Sequence, residues 1–336
     1  MQAFEWANAA TVDDAVKLLS PAGKVDPDEM PRPMGGGQDL LTTMKSYITR
    51  PPRVVNLKTI GGLDTVDTVA GGLKIGALVT LTDLAAHPAV VQAFPGLVDA
   101  VHSIATPQIR NLGTVGGNLG QRPRCWYFRL DNVKCLKRGG DTCYAIDGEN
   151  KYHAIFDTDK PCVMVHSSDL APMLTAADAA VVVHGPAGTR TVPISQFFLS
   201  PTAETVRVEN VLKPGEVISD ITVPRADTLG RSVYIKFKER ESLDFAMASV
   251  AAVARMTGNQ IGQIRLVLGG VAQVPWPLPD VEAFLLGKTM DEATANQAGE
   301  LAVKSAKPLS QNKYKLRLVK TLVRRALLKA CDPKFA

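Results

Sequence analysis

The stretch Gln108-Ile109-Arg110-Asn111-Leu112-Gly113-Thr114-Val115-Gly116-Gly117-Asn118-Leu119 carries three glycines, with Thr114 and Asn118 as polar neighbours. Such a run presents backbone N–H groups that no bulky side chain screens, and donors of that kind suit an anion, phosphate above all. A second run of the same character lies upstream. Gly35-Gly36-Gly37-Gln38-Asp39-Leu40 follows Pro31 to Met34 and leads into Leu41-Thr42-Thr43-Met44-Lys45, whose apolar spacing is helical. The order is strand, glycine turn, helix; glycine admits positive φ there, and Gln38 adds a side-chain donor. Taken alone, the upstream run reads first as a plain glycine turn. Two such loops in one chain suit a dinucleotide better than a mononucleotide. Neither is a Rossmann fingerprint, because no G-x-G-x-x-G follows a strand, and Gly287-Lys288-Thr289 has Glu282 where a P-loop needs its leading glycine.

Outward from these loops, Phe4-Glu5-Trp6 reads as a short strand and Thr11-Val12-Asp13-Asp14 as the cap of a helix running to Leu19. Short apolar runs alternate with Gly and Asp from Arg53 to Thr82. Leu81 to Ile104 is expected to be helical and Ala180 to His184 a strand. Beyond Pro224, strands at Ser232 to Lys236 and Ile264 to Leu268 are expected to alternate with helices at Phe245 to Arg255 and Glu292 to Ala306. A basic amphipathic helix closes the chain. The expected class is α+β in three parts: an α/β part at 1–57, a second part at 58–225 with a cysteine-rich insertion at about 121–165, and a C-terminal α/β part at 226–336.

The chain has 336 residues, 46% of them hydrophobic and 21% charged, enough for two or three packed domains. No run approaches the roughly eighteen apolar residues of a spanning helix, so no membrane span is expected. Met1 to Trp6 lacks a basic segment and an apolar one, so no export signal of its own is expected. A net charge of +5 spread along the chain and 6% aromatic residues offer nucleic acid no platform.

Four of the five cysteines are Cys125, Cys135, Cys143 and Cys162; Cys331 lies apart. The close C-x2-4-C pairs of structural zinc are absent. Wide spacing suits an iron–sulfur cubane, whose thiolates come from separate loop segments. Arg122, Arg124, Lys134, Lys137 and Arg138 would offset its negative charge. Two disulfides, or four unrelated buried thiols, fit the spacing as well. There is no G-x-S-x-G elbow and no H-E-x-x-H, so moving electrons suits the chain better than hydrolysis does.

The run Gln108 to Leu119 resembles the second FAD loop in the flavoprotein subunits of molybdenum hydroxylases, the family of xanthine dehydrogenase, carbon monoxide dehydrogenase and aldehyde oxidoreductase. Gly35 to Leu40 resembles the first loop of that family, with Gly for Ala and Gln for Thr. Ser168-Asp169-Leu170-Ala171-Pro172, Lys236 through Arg240 to Asp244-Phe245-Ala246, and Gly269-Gly270-Val271-Ala272 with Pro275 match further segments, so the resemblance spans essentially the whole chain. The insertion from Cys125-Trp126-Tyr127-Phe128-Arg129 to Cys162 is similar to that of three-subunit bacterial aldehyde oxidoreductases more than to that of hydroxybenzoyl-coenzyme A reductase.

The resemblance implies a two-part FAD-binding domain of the vanillyl-alcohol-oxidase-like (PCMH) type and a C-terminal domain of the CO dehydrogenase flavoprotein type. It implies that Met34, Gly35, Gly36, Gly37, Gln38, Asp39 and Leu40 cradle the FAD pyrophosphate with Thr114, Gly116, Gly117 and Asn118. Asp169 would meet the ribityl or ribose side, Lys236 the isoalloxazine end, and Ile104 and Ile218 would give apolar contacts. Helix N-cap for Asp169, solvated strand residue for Lys236 and ordinary core for the two isoleucines are the plain alternatives. Cys125, Cys135, Cys143 and Cys162 would hold a 4Fe-4S cluster in a structural or auxiliary role. Partners would be a large molybdenum-cofactor subunit, a small 2Fe-2S subunit and an external electron acceptor, with no catalytic residue on this chain. The compartment is cytoplasmic on the missing signal, or periplasmic if the small subunit carries one. Xanthine dehydrogenase-like and hydroxybenzoyl-coenzyme A reductase-like complexes, and a stand-alone FAD oxidoreductase, are the competing readings.

Overall fold

The computed structural model of the chain describes residues 1–224 and 228–331. Among these residues the strands form three sheets. The first is parallel, in the order Glu5–Asn8, Arg53–Asn56, Arg32–Met34. Helix Val12–Leu19 covers it, burying Ala15, Val16 and Leu19. Thr11 caps that helix by accepting the Asp14 N–H at 3.1 Å, and the acidic first turn complements the helix dipole.

The second sheet is antiparallel, in the order Val66–Val69, Gly72–Gly76, Val217–Val223, Ala180–Gly185, Gly188–Pro193. The stretch expected to be one helix from Leu81 to Ile104 is three: Leu81–Ala86, Pro88–Ala93 and Pro95–Ser103. Pro88 and Pro95 have no N–H for a preceding turn and fit only at a helix start, so each opens a new helix. These helices share one apolar core with the sheet and with helix Leu170–Ala176.

The third sheet runs Trp276–Pro277, Gln260–Gly269, Ala248–Thr257, Arg231–Phe237. Here a sequence expectation fails: Phe245 to Arg255, expected to be helical, is for the most part the strand Ala248–Thr257. Ala248, Val250, Ala252 and Ala254 face the C-terminal core, whereas Ala251 and Val253 face the core of the second sheet. A strand covered on both faces has no polar alternation to show, and its apolar run cannot be told from a buried helix by period. Glu292–Ala302 is helical, ending four residues before the expected Ala306, and the amphipathic helix Tyr314–Cys331 buries Val319, Leu322, Val323 and Leu327 against the sheet.

The boundary expected at 225/226 and the chain end at 332–336 lie outside the described residues. Among those described, no helix is long and apolar enough to cross a membrane. The insertion at 121–165 has little regular structure, with helix Trp126–Arg129 and the 3-10 turn Leu136–Arg138 its main elements.

Candidate functional site

The two glycine loops meet. A Cβ on Gly36 would lie 1.9 Å from the Leu112 carbonyl oxygen, and one on Gly35 would lie 2.8 Å from Thr114 Oγ1. Only glycine allows the loops to approach this closely. Thr114 is buried, caps the helix Val115–Leu119 and accepts the Gly117 N–H at 3.2 Å. The loops line a cavity of about 570 Å³, within the usual range for a small-molecule site. Every residue singled out above for the flavin lines this cavity: Met34 to Leu40, Ile104, Thr114, Gly116, Gly117, Asn118, Asp169, Ile218 and Lys236.

Asp169 and Lys236 sit in the same wall, with side chains only 6% and 3% exposed and Nζ 2.8 Å from Oδ2. The Tyr234 hydroxyl donates to Asp169 Oδ1 at 2.6 Å, and Lys236 also donates to the Ser103 carbonyl at 3.0 Å. Burial, then the Asp169 charge, drives the Tyr234 hydroxyl well above its ordinary pKa and keeps it protonated. Asp169 stands at the N-cap of helix Leu170–Ala176, yet its side chain makes no cap bond. Ser168 takes that part, accepting the Ala171 N–H at 3.1 Å while bonding Asn118 Oδ1 at 2.5 Å, so the downstream glycine loop is anchored to this segment. Lys236 is a buried ion-pair partner and not a solvated strand residue.

Cys125, Cys135, Cys143 and Cys162 line one small pocket of about 20 Å³. Backbone N–H groups of Tyr127 and Phe128 point at Cys125, those of Lys137 and Arg138 at Cys135, those of Ala145, Ile146 and Val163 at Cys143, and that of Met164 at Cys162. His153 Nε2 lies 3.2 Å from Cys125 Sγ. Burial pushes the Cys125 thiol up to about 12 and the Cys135 thiol up as well. The Cys162 thiol hydrogen-bonds Cys143, which lowers Cys143 and raises Cys162. Among the described residues no three His, Cys, Asp or Glu side chains are grouped to hold a single metal ion. A cubane takes one thiolate at each iron and spaces its ligands more widely than one ion does, so the donor set of four thiols with amide N–H groups fits a cluster. The contact between Cys143 and Cys162 would have to open to admit it. All five cysteines are free thiols, so the two-disulfide alternative does not hold here.

Residue spacing gave no sign of what joins the two sites. Arg122 pairs with Asp28 at 2.8 Å and with Glu209 at 3.0 Å, and Glu209 pairs with Lys137 at 2.8 Å. Burial raises the Glu209 carboxyl, but Arg122 and Lys137 outweigh that and hold it below its ordinary range, ionised. Asp39 pairs with Arg129 at 2.8 Å and Arg124 at 3.0 Å. Arg122, Arg124 and Lys137 stood out in the sequence only as basic neighbours of the cysteines; Asp28 and Glu209 are too distant in the chain for any local signal. Of the other basic neighbours, Arg138 turns away to the Leu130 and Val133 carbonyls.

Comparison with known proteins agrees with this geometry. Residues 2–226 match the family described as the FAD binding domain in molybdopterin dehydrogenase, and residues 233–330 match the CO dehydrogenase flavoprotein C-terminal domain. The chain is 37% identical to the aldehyde oxidoreductase FAD-binding subunit of Escherichia coli (strain K12) over 88% of this chain and 90% of that one. It is 26% identical to the glyceraldehyde dehydrogenase medium chain of Sulfolobus acidocaldarius over 96% of each. Among solved structures, carbon monoxide dehydrogenase from Hydrogenophaga pseudoflava superposes with a TM-score of 0.75 at 28% identity, covering 98% of this chain and 97% of that one. Matches spanning nearly every described element, around a cavity built from two glycine loops, identify the chain as an oxidoreductase subunit: it belongs to the FAD-binding subunits of the molybdenum hydroxylase family.

Proposed function

We propose that the chain is the FAD-binding electron-transfer subunit of a heterotrimeric, molybdenum-containing aldehyde oxidoreductase. In this reading it takes electrons from 2Fe-2S clusters on a small partner subunit and delivers them from FAD to an external acceptor, while substrate is oxidised on a large molybdenum-cofactor subunit. A 4Fe-4S cluster sits at Cys125, Cys135, Cys143 and Cys162. The observation that carries the reading is the pairing, in one chain, of a dinucleotide-sized cavity with a pocket of four thiols one salt-bridged wall away. The names of two relatives above, an aldehyde oxidoreductase and a glyceraldehyde dehydrogenase, support an aldehyde as the substrate class.

FAD, when bound, supplies exchange of electrons singly or in pairs between iron–sulfur centres and an outside acceptor. The chain's own residues bind and orient it. Gly35 to Asp39 offer backbone donors to the diphosphate; the N–H groups of Val115 to Asn118 are bonded within the protein, so Thr114, Gly116, Gly117 and Asn118 shape the other side of the cradle. Asp169 takes the ribityl or ribose side, and Lys236 stands at the isoalloxazine end with its charge already paired. Ile104 and Ile218 close the apolar side against water. Leu243 and Phe245, exposed at the rim of the cavity, offer apolar surface to a partner. The domain division follows the same reading, with 1–57 and 58–225 enclosing the flavin and 226–336 backing it.

The test is anaerobic purification of the chain with its partners, followed by flavin, iron and sulfide analysis and an EPR spectrum. FAD together with a 4Fe-4S signal that Cys135→Ser removes is expected. Flavin without that signal overturns the cluster, and aldehyde turnover by the single chain without a molybdenum subunit overturns the subunit role.

A further inference from the structure

Lys137 stands between the two sites. Among the described residues it is the one lysine or arginine lining the cysteine pocket, while Glu209 and Arg122 line the flavin cavity. Its ammonium lies 2.8 Å from Glu209 Oε1 and 3.2 Å from the Val208 carbonyl, and its side chain is 1% exposed. The other Glu209 oxygen lies 3.0 Å from Arg122 Nε. The Arg122 guanidinium in turn lies 4.8 Å from the centroid of Phe128, a residue of the cysteine pocket. A fixed charge shut off from water acts on its neighbours through a low dielectric, and the net charge near an iron–sulfur cluster or a flavin sets how readily each accepts an electron.

Resting on the cluster reading above, we propose that Lys137 sets the reduction potential of both prosthetic groups: directly for a cluster held by the four cysteines, and through Glu209 and Arg122 for the flavin. Its positive charge favours the added electron at the cluster. By neutralising Glu209 it also keeps that carboxylate from raising the energy of reduced flavin across the wall. The cysteine insertion is in this view an electrostatic part of the flavin site.

The test is an anaerobic redox titration of the assembled complex, following flavin absorbance and the cluster EPR signal, in the parent and in Lys137→Met, Lys137→Arg and Glu209→Gln. Lys137→Met is expected to make both groups harder to reduce, by about tenfold in each equilibrium, or about 30 mV for the two-electron flavin couple and 59 mV for a one-electron cluster couple. Lys137→Arg is expected to restore both. Glu209→Gln, which removes a negative charge from the same wall, is expected to shift both potentials the opposite way, which a merely structural disturbance would not do. Unchanged potentials in Lys137→Met at full iron and flavin content overturn the proposal; if that variant does not fold, absence of an upward shift in Glu209→Gln does so. A parent complex with no 4Fe-4S EPR signal, read before any substitution, overturns the cluster assignment itself, so the two failures are distinct.

Discussion

The carboxylate of Asp39 accepts the backbone N–H of Arg122 at 2.7 Å, so the last residue of the upstream glycine loop is tied to the beginning of the cysteine insertion. Its other oxygen takes Arg129 and Arg124, and all three side chains are mostly buried. Asp39→Asn removes the charge and leaves two guanidinium groups without their carboxylate. It is expected to cost about 1–3 kcal/mol in urea unfolding and to lower the flavin retained through gel filtration. Parent-like values of both would show that the tie is dispensable.

Gly36→Ala is expected to abolish flavin retention, because its Cβ would meet a backbone carbonyl at 1.9 Å and one loop must move away from the other. Gly116→Ala meets Ala77 Cβ at 2.9 Å and the Ala77 carbonyl oxygen at 3.1 Å, so the backbone must shift, but by less than the 1.9 Å contact of Gly36→Ala demands, and a partial loss is expected. Gly61, with nothing within 4 Å, is the control: Gly61→Ala stays within about 0.5 kcal/mol of the parent and keeps its flavin. The flavin-to-protein absorbance ratio ranks the three, and a ranking that ignores the Cβ distances would count against the cradle.

Asp169→Asn or Lys236→Met leaves one member of a buried pair uncompensated, with an expected loss of about 3–5 kcal/mol each by urea midpoint. Because both act on one interaction, the double variant is expected to lose clearly less than the sum of the two. Additive losses would mean that the pair contributes through separate contacts.

Lys315 is buried, donates to the carbonyls of Tyr152, His153 and Gly270, and has no carboxylate partner among the described residues. Burial lowers its pKa from 10.5 to about 7. Between those values the unfolded chain holds a proton that the folded chain does not. Stability attributable to this lysine is therefore complete above 10.5 and is lost as pH falls through about 7. The loss approaches at most about 5 kcal/mol, and the three carbonyl acceptors reduce it. Urea unfolding across this range should show the parent gaining stability with rising pH relative to Lys315→Met; parallel curves would exclude the linkage.

Cys331 lies in the C-terminal apolar core with Val323 and Leu327. Cys331→Ser places a hydroxyl there and is expected to cost about 1–3 kcal/mol in thermal or urea unfolding while leaving iron content unchanged. Cys162→Ser is expected to do the reverse, losing iron more than stability of the sheets. Iron loss in Cys331→Ser would show that the thiols cannot be assigned by location.

Sequence alone determined whatever is written in consecutive residues. The two glycine loops, the Thr11-capped helix, the amphipathic C-terminal helix and the grouping of four cysteines are local patterns, because caps, turns and face periodicity act within a few positions. Tertiary structure decided the rest. Ala248–Thr257 is a strand because helices and a second core cover both its faces, and no short-range pattern encodes what lies above and below a residue. The pairing of Asp169 with Lys236, and the chain from Asp28 through Arg122 and Glu209 to Lys137, join residues 67 to 94 positions apart at each link. A buried charge selects its partner by proximity in the folded chain, since only there does leaving water make an unpaired charge intolerable.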